Sequence, residues 1–317
     1  MAVSTYLEFE KPVADLERKI AELEAAGGAA VEEEVGKLRE KAQKQLEQIY
    51  THLSAWQKTQ VARHPERPHF LDYVEQLFDE FVELAGDRKF MNDEAILGGL
   101  ARFRGRPVVV IGHEKGRDTQ TRLKHNFGMG RPEGYRKAVR LIELAGRFGL
   151  PVIALVDTSG AFPGKGGEER GQAEALARAI EACLTLDTPM ISVIVGEGGS
   201  GGAVALASGN KVLMMEHAVY SVISPEGAAS ILFRDAKRAK DTAEAMKITA
   251  QDLLKFHIVD GVVPEPMGGA HRDPKDAIEK VGDAVEAALK TLDGMTPDDL
   301  RAQRKERFYA IGREGLA

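Results

Sequence analysis

The stretch MISVIVGEGGSGGAVALASGN, residues 190–210, places five glycines within seven residues directly after a β-branched run. Glycine loses more backbone entropy on folding than any other residue. A cluster of this density therefore indicates a close approach of another group to the backbone, or positive φ values. The stretch predicts a strand end at which the backbone itself has a structural or functional role.

The same order of elements occurs three times in the central part of the chain. An apolar strand leads through Gly, Ser or Pro into a helix in GLPVIALVD followed by QAEALARAIEACLTL, in MISVIV followed by AVALAS, and in KVLMMEHAVYSVI followed by SPEGAASILF. Continuous apolar strands that alternate with helices are typical of a parallel sheet covered on both faces. Each helix start offers unpaired N–H groups, which suit developing negative charge.

Other patterns flank this core. Apolar residues three and four positions apart predict a helical hairpin from Pro12 onward, broken at Gly27 and Gly28. The segment ILGGLARFRGRPVVVIGHEKG predicts two strands around a turn at residues 104–106, and DGVVPEP predicts a last strand or loop. We therefore divide the chain into an N-terminal helical hairpin at 1–66, an α/β domain at 67–295 whose core runs over about 96–264, and a C-terminal helical tail at 296–317.

Composition argues against several classes of protein. The chain is 43% hydrophobic and 29% charged with a formal net charge of −6, which does not favour nucleic acid or an anionic membrane as a partner. No apolar run approaches the roughly 18 to 20 residues of a membrane span, and residues 1–10 lack the pattern of a secretory signal, so we expect a cytoplasmic protein. Cys183 is the single cysteine, which excludes a disulfide within the chain.

Basic residues are concentrated between residues 117 and 140. This pattern fits a solvated helix face about as well as a site for an anionic small molecule such as a phosphate or carboxylate. The basic side chains are Arg117, Arg122, Lys124, His125, Arg131, Arg136, Lys137 and Arg140.

Two phosphate-binding patterns are formally present. Gly196, Gly198 and Gly201 satisfy G-x-G-x-x-G after a predicted strand, which leaves a nucleotide-dependent oxidoreductase as an alternative. The fit is poor, because AVALAS is too short for the usual crossover helix and Glu216 follows Gly201 by about fifteen residues rather than roughly twenty. GAFPGKG is one residue short of a P-loop and lacks the Ser or Thr that would hold Mg²⁺, so we reject that interpretation.

Side-chain catalysts are not apparent. The eight histidines form no H-E-x-x-H motif and no pair at ligand spacing, so no metal site is predicted. Ser159 and Ser200 could suggest a hydrolase, but no base can be assigned to either. Backbone N–H groups remain: a loop of small residues at a helix start can direct two of them at one oxygen, as in an oxyanion hole.

Five segments closely resemble the α-subunit family of the bacterial acetyl-coenzyme A carboxylase carboxyltransferases: HNFGMGRPEGYRKA, DTSGAFPGKGGEERGQ, GEGGSGGA, YSVISPEGAASIL and VPEPMGGAHR. The resemblance runs from about Phe9 to about Arg272. It implies an α/β fold of the crotonase-like (ClpP/crotonase) type, a superhelix of repeated ββα units, with the N-terminal helical hairpin outside it. Ser159 departs from the family pattern, where proline is usual in D-T-P-G-A, and the loss of proline's fixed φ could loosen this turn.

The resemblance also implies an activity. Such an enzyme is a biotin-dependent carboxyl transferase that moves the carboxyl group from carboxybiotin on biotin carboxyl carrier protein to acetyl-CoA, forming malonyl-CoA in the first committed step of fatty acid biosynthesis. The family acts as an α₂β₂ assembly whose β subunit carries zinc, so activity is expected only in the αβ complex, with biotin carboxylase as a further partner. A noncatalytic scaffold subunit is the second alternative.

By this resemblance the α subunit contributes mainly the biotin side of the site. Negative charge grows on the ureido oxygen as the N-carboxyl bond breaks, and backbone donors at Gly201, Gly202 and Ala203 would stabilise it. Decarboxylated biotin can itself take the acetyl proton, so no protein base is required. We expect further substrate contacts, with the last two side chains steering the carboxylate, from Gly160, Ala161, Gly164, Gly198, Gly199, Arg136 and Lys137.

Overall fold

The computed structural model describes residues 5–27 and 29–313. After a 3₁₀ turn at Glu8–Glu10, helices α1 (Lys11–Ala26) and α2 (Ala29–Thr51) form the expected hairpin. Gly27 ends α1 with a φ of 68°, a conformation that glycine adopts without steric cost. Gly28, the other residue of the predicted break, lies outside the described residues.

Eight strands of the described residues form one sheet in the order β1-β2-β3-β4-β5-β6-β8, with β7 paired to β5. The strands are β1 (Phe78–Glu83), β2 (Ile96–Phe103), β3 (Arg106–His113), β4 (Val152–Thr158), β5 (Met190–Gly199), β6 (Lys211–Met215), β7 (Val219–Ser221) and β8 (Gly261–Val263). Strands β1, β2 and β3 pair antiparallel, whereas all pairs from β3 onward are parallel. Every residue of β4 and β5 is buried, as expected for strands covered on both faces.

The sequence predicts a loop from Gly196, but this prediction was wrong, because β5 continues to Gly199. Residues 191–194 of β5 pair with β6, and residues 197–199 pair with β7. Between these segments the register with β4 shifts, so that Asp157 alone lies opposite three residues of β5. A Cβ on Gly196 would overlap the Asp157 carboxylate, so only glycine fits this bulge. The bulge divides β5 into two strand segments, which gives the strand, strand, helix order of the expected repeat.

The helices pack on the sheet in two groups. Helix α6 (Pro132–Phe148) packs on β2 and β3 and against α8 (Gln172–Thr185), whereas α13 (Pro274–Lys290) packs on β5, β6 and β8. No helix in the described part of the chain is long and apolar enough to cross a membrane. The other helices are α3 (Ala55–Ala62), α4 (Phe70–Leu77), α5 (Thr119–Lys124), α7 (Lys165–Glu169), α9 (Ser200–Val204), α10 (Pro225–Phe233), α11 (Ala239–Met246), α12 (Ala250–Lys255) and α14 (Pro297–Ala310).

A buried ion pair joins the segment between α3 and α4 to the sheet. Arg67 donates to both carboxylate oxygens of Glu265 at 2.7 and 2.9 Å, and its Nε donates to the carbonyl of Val195 in the bulge at 2.6 Å. The two side chains are 1% and 0% exposed. The boundary predicted at residue 66 lies within this segment, and the division into domains stays a prediction.

Replacing Arg67 by methionine tests this connection. The change leaves the Glu265 carboxylate buried without a cation, so we expect the free energy of unfolding to fall by about 3 to 5 kcal/mol near neutral pH. Burial by itself would raise the pKa of Glu265, but the nearby Arg67 charge has the larger effect. The pKa of Glu265 therefore falls from 4.5 to about 2. The wild-type contribution is therefore present above pH 4.5 and is lost as the pH falls toward about 2, and the variant should lack this acid dependence. Urea denaturation across this range measures both effects, and a variant as stable as wild type would contradict the assignment.

Candidate active site

The loop after β4 and the start of α9 meet at a contact that we call the glycine junction, formed by Ser159, Gly160, Ala161, Gly199 and Gly202. A Cβ on Gly202 would lie 2.6 Å from the Ala161 nitrogen and 2.8 Å from the Gly160 carbonyl carbon. A Cβ on Gly199 would overlap the carbonyl group of Ser159. The glycine cluster is therefore required because one backbone packs directly on another.

Three backbone N–H groups at or next to the junction have no acceptor in the described part of the chain. The N–H of Gly160 donates to Thr158 Oγ1 at 3.0 Å and that of Phe162 to the Gly130 carbonyl at 2.9 Å, which leaves the N–H of Ala161 between them unpaired. The N–H groups of Gly201 and Gly202 begin α9, and the first N–H groups of a helix have no acceptor within it. Adjacent, unpaired N–H groups of this kind can stabilise an oxygen that becomes negative.

The other glycines predicted to bind substrate lie around this contact. A Cβ on Gly198 would lie 2.7 Å from the Tyr220 ring, and a Cβ on Gly164 would overlap the Phe162 ring. Ala203 is fully buried in the core. The structure therefore brings Gly160, Ala161, Gly199 and Gly202 to one place, with Gly201 adjacent to them in the chain, and gives Gly164 and Gly198 packing contacts. The ligand-binding roles of all these residues stay a prediction.

The packing of Arg136 and Lys137 does not support the prediction that they steer a substrate carboxylate. Arg136 forms ion pairs with Asp87 at 2.8 Å and with the buried Glu133 at 3.0 Å. Lys137 is 0% exposed, and its ammonium donates to Asn92 Oδ1 and to the Asp93 carbonyl. Both cations are occupied inside the protein, so we leave them out of the site.

Several other basic residues between positions 117 and 140 contact partners within the protein. Arg117 pairs with Asp72, Lys124 lies 3.7 Å from Glu94, and Arg140 donates to backbone carbonyl groups. The Arg131 guanidinium lies over the Phe162 ring at 5.0 Å from its centroid. Most of these cations contact different partners, whereas Arg122 lines the cleft described next. The interpretation of this segment as a binding site for an anionic molecule stays a prediction.

A cleft of about 360 Å³ lies at the carboxyl ends of β3, β4 and β5, next to the glycine junction at Ser159. Ligands of parallel α/β sheets commonly bind outside such strand ends. A larger groove of about 510 Å³ between α6 and α8 lies on the helix surface, away from the strand ends, and we do not assign a function to it. The lining of the cleft includes Arg63, Lys115, Asp157, Ser159 and Glu197.

Buried charges hold the strand ends together in this cleft. The Lys115 ammonium lies 2.7 Å from Asp157 Oδ1 and 2.9 Å from Glu197 Oε1, and Arg63 donates to the other oxygen of Glu197 at 2.5 Å. Asp157 Oδ1 also accepts the N–H of Glu197 at 2.8 Å, which closes the bulge. Burial by itself would raise the pKa of the Asp157 carboxyl, but the Lys115 charge outweighs burial and holds this pKa well below its usual value. Asp157 therefore stays ionised.

Sequence reasoning missed this ion cluster. Its members stand at positions 63, 115, 157 and 197 and belong to no spaced motif. One signal was present: Lys115, Asp157 and Glu197 each follow or end an apolar strand, and the carboxyl ends of parallel strands meet at one edge of a sheet.

Glu10, His64 and His271 are close enough together to be considered as metal ligands. The two imidazole rings are stacked, with centroids 3.7 Å apart and planes 17° apart. A metal lies near the plane of each imidazole that binds it, so two stacked rings do not point at one ion. His64 also uses both nitrogens, because Nε2 donates to the Thr5 carbonyl and Nδ1 accepts the Glu66 N–H. The stacked rings and the hydrogen bonds of His64 therefore do not fit a metal site.

Ser200 has the local context of a nucleophile elbow. It has a φ of 51° at a strand-to-helix turn, with Gly198 and Gly202 two residues to either side. A serine nucleophile requires an adjacent base. No side chain in the described ranges is hydrogen-bonded to the Ser200 hydroxyl, so the site lacks this requirement.

Comparison with known sequences gives a consistent result. A family model described as "Acetyl co-enzyme A carboxylase carboxyltransferase-like" matches residues 6–312. The acetyl-coenzyme A carboxylase carboxyl transferase subunit alpha of Caulobacter vibrioides is 65% identical over 315 residues, covering 98% of each chain. The protein of the same name from Methylobacterium nodulans is 62% identical over 313 residues, covering 98% of this chain and 99% of its own.

Solved structures share the fold at low sequence identity. Transcarboxylase 12S has a TM-score of 0.57 at 20% identity, covering 71% of this chain and 42% of its own. The geranyl-CoA carboxylase beta subunit of P. aeruginosa has a TM-score of 0.55 at 18% identity, with 78% and 46% covered. A Pseudomonas malonate decarboxylase hetero-tetramer chain has a TM-score of 0.56 at 17% identity, with 69% and 90% covered. These neighbours confirm the expected crotonase-like α/β fold.

Alanine at Gly202 and at Gly201 should have different effects. At Gly202 a Cβ would lie 2.6 Å from the Ala161 nitrogen, so the two loops must separate, and we expect the thermal unfolding midpoint to fall by several degrees. At Gly201 a Cβ would meet only Leu176 Cδ1 at 3.4 Å, so this matched variant should unfold within about 1 kcal/mol of wild type. Equal midpoints for the two variants would contradict the close backbone contact.

Replacing Lys115 by methionine removes the cation between Asp157 and Glu197. We expect the free energy of unfolding to fall by about 3 to 5 kcal/mol near neutral pH, because two buried carboxylates lose a shared partner. The loss should shrink as the pH falls, since Asp157 in the variant takes up a proton more readily. Lys115→Arg is the control that keeps the charge. Denaturant unfolding at two pH values measures these effects, and a loss that does not depend on pH would argue against the charge cluster.

Proposed function

The chain belongs to the acetyl co-enzyme A carboxylase carboxyltransferase-like family, and we propose that it acts as the α subunit of a biotin-dependent carboxyltransferase that forms malonyl-CoA from acetyl-CoA. Its curated relatives carry this subunit's name at identities of 60 to 66% over 98% of the chain. The alternatives of an oxidoreductase and of a scaffold have no such support. Gly196 and Gly198 lie within β5, not in the tight turn that a dinucleotide fingerprint requires.

The observation that carries the proposal is the group of unpaired N–H donors at the glycine junction. Ala161 and Gly202 are held together by direct backbone packing, so their N–H groups are positioned before any ligand arrives. Donors that are fixed in advance stabilise a developing negative charge without the cost of reorganising. Neutral amides also suit a ureido oxygen, which is uncharged before the reaction. The residues present therefore fit the biotin head group.

Carboxybiotin would supply the carboxyl group and, after its loss, a ureido nitrogen that can take the acetyl proton. The chain's own part is to bind the ureido oxygen at Ala161, Gly201 and Gly202 and to stabilise its charge. Removing one such donor typically costs about 10²- to 10³-fold in rate. A protein base is not needed in this scheme, in agreement with the isolated Ser200 hydroxyl.

A second subunit would supply the acyl-CoA side of the site. This chain covers only 42% of the transcarboxylase chain and 46% of the geranyl-CoA carboxylase beta chain, so each of those chains is more than twice as long as the part it shares with this one. The Pseudomonas malonate decarboxylase with a similar chain is a hetero-tetramer. These likenesses support a β partner in an α₂β₂ complex. That β carries zinc, that biotin carboxyl carrier protein and biotin carboxylase take part, and that the complex is cytoplasmic are further parts of the proposal.

The proposal is tested by coexpressing the chain with a β subunit and measuring biotin-dependent malonyl-CoA decarboxylation. The chain alone should show little or no activity, and activity should appear when β is added. Ser200→Ala should retain turnover within about threefold of wild type, because its hydroxyl is not the nucleophile; a lost donor would cost far more. Full turnover by the isolated chain, or abolition of activity by Ser200→Ala in an assembled complex, would refute this function.

A further inference from the structure

The hydroxyl of Tyr135 on α6 is completely buried and has no hydrogen-bond partner in the described part of the chain. Tyr135 is 0% exposed, and its hydroxyl oxygen is among the buried polar atoms without a protein partner. A buried hydroxyl without a hydrogen bond costs about 1 to 3 kcal/mol, and most buried polar groups are satisfied. Phenylalanine would fill the same space without this cost, so the hydroxyl requires an explanation.

This hydroxyl lies against the glycine junction. Its oxygen is 2.9 Å from the point that a Cβ on Gly202 would occupy, and the Ala161 nitrogen is 2.6 Å from the same point. The Tyr135 oxygen and the unpaired Ala161 nitrogen therefore lie on the same side of the Gly202 backbone, next to each other.

The tyrosine ring is held rigidly in this position. A Cβ on Gly130 would lie 3.0 Å from the Cζ atom of the ring, which therefore packs on the Gly130 backbone. The carbonyl of Gly130 in turn accepts the N–H of Phe162 at 2.9 Å and the Gln172 side chain at 3.1 Å. The ring thus packs under the same loop that carries Ala161, and its hydroxyl end points to the junction.

The chemistry of the group fits a donor. A phenol hydroxyl turns about its C–O bond and can donate or accept. Burial, with a smaller contribution from Asp93, raises the pKa of Tyr135 well above its usual value, so the hydroxyl keeps its proton. With no protein acceptor to fix that proton, the hydroxyl can turn toward an oxygen that becomes negative.

We propose that Tyr135 is a further donor of the site: its hydroxyl turns toward the oxygen that becomes negative at the glycine junction and stabilises it together with Ala161 and Gly202. This inference rests on the proposed function, because the oxygen in question is the ureido oxygen of the biotin substrate. It assigns a role to a side chain in a site otherwise made of backbone, and it explains the retention of an unpaired hydroxyl in the core.

Tyr135→Phe tests the inference in the complex with β, with Tyr73→Phe as the matched control. Tyr73 is also 0% exposed, but its hydroxyl donates to Met215 Sδ at 3.2 Å, away from the junction. We expect Tyr135→Phe to lower kcat for biotin-dependent malonyl-CoA decarboxylation by at least about tenfold, since lost donors of this type cost 10²- to 10³-fold. The KM for malonyl-CoA should not change, and the thermal midpoint should be equal to or above that of wild type. Tyr73→Phe should keep wild-type kcat.

Three results would overturn the inference. A wild-type kcat for Tyr135→Phe would remove the role of the hydroxyl while leaving the proposed function intact. The rate could fall only because less complex assembles, as measured by size-exclusion chromatography, while kcat per assembled complex is unchanged. That result would show a structural role instead. A wild-type complex without biotin-dependent activity would refute the proposed function, and the inference with it.

Discussion

The direct packing of the Gly202 backbone on that of Gly160 and Ala161 is the constraint on which the rest of the site depends. It sets the distance between the ends of β4 and β5, since a single Cβ at Gly202 would lie 2.6 Å from the Ala161 nitrogen. It also fixes where the unpaired N–H groups lie. The same glycines that cost backbone entropy on folding therefore provide a site whose donors are already in place.

The bulge in β5 and the buried ion cluster next to it stabilise this contact. Asp157 of β4 lies alone opposite three residues of β5 and accepts the Glu197 N–H. Lys115 links the carboxylates of Asp157 and Glu197. Because these charges are buried, removing one partner costs far more than at the surface. The ion cluster does not bind substrate in this account. Its role is to hold the strand ends, and through them the glycine junction, in one geometry.

Local patterns were sufficient to predict much of the fold. The hairpin, the two strands around residues 104–106 and the buried strands β4 and β5 were predicted from spacing and hydropathy, because each signal lies within one short segment. Two details differ: α9 runs over Ser200–Val204 rather than AVALAS, and KVLMMEHAVYSVI forms two strands, β6 and β7. The glycine cluster was correctly identified as a place of close approach. The structure shows that the approaching group is another stretch of backbone.

Contacts between distant residues could not be predicted in this way. Arg136 and Lys137 read as available cations in the sequence, but Asp87 and Asn92, about 45 to 50 positions away, occupy them. The ion cluster, the continuation of β5 through the glycines and the unpaired Tyr135 hydroxyl all depend on three-dimensional packing. A sequence pattern does not contain that information, because burial and partner choice are decided by the whole fold.

The site as proposed depends on backbone N–H groups at the glycine junction that bind the ureido oxygen of biotin. A crystal structure of the chain with its β partner and biotin tests it most directly. We predict the ureido oxygen at about 2.7 to 3.1 Å from the nitrogens of Ala161 and of Gly201 or Gly202. A ureido ring held by side chains elsewhere, for example in the groove between α6 and α8, with these N–H groups uncontacted, would rule out this role of the backbone.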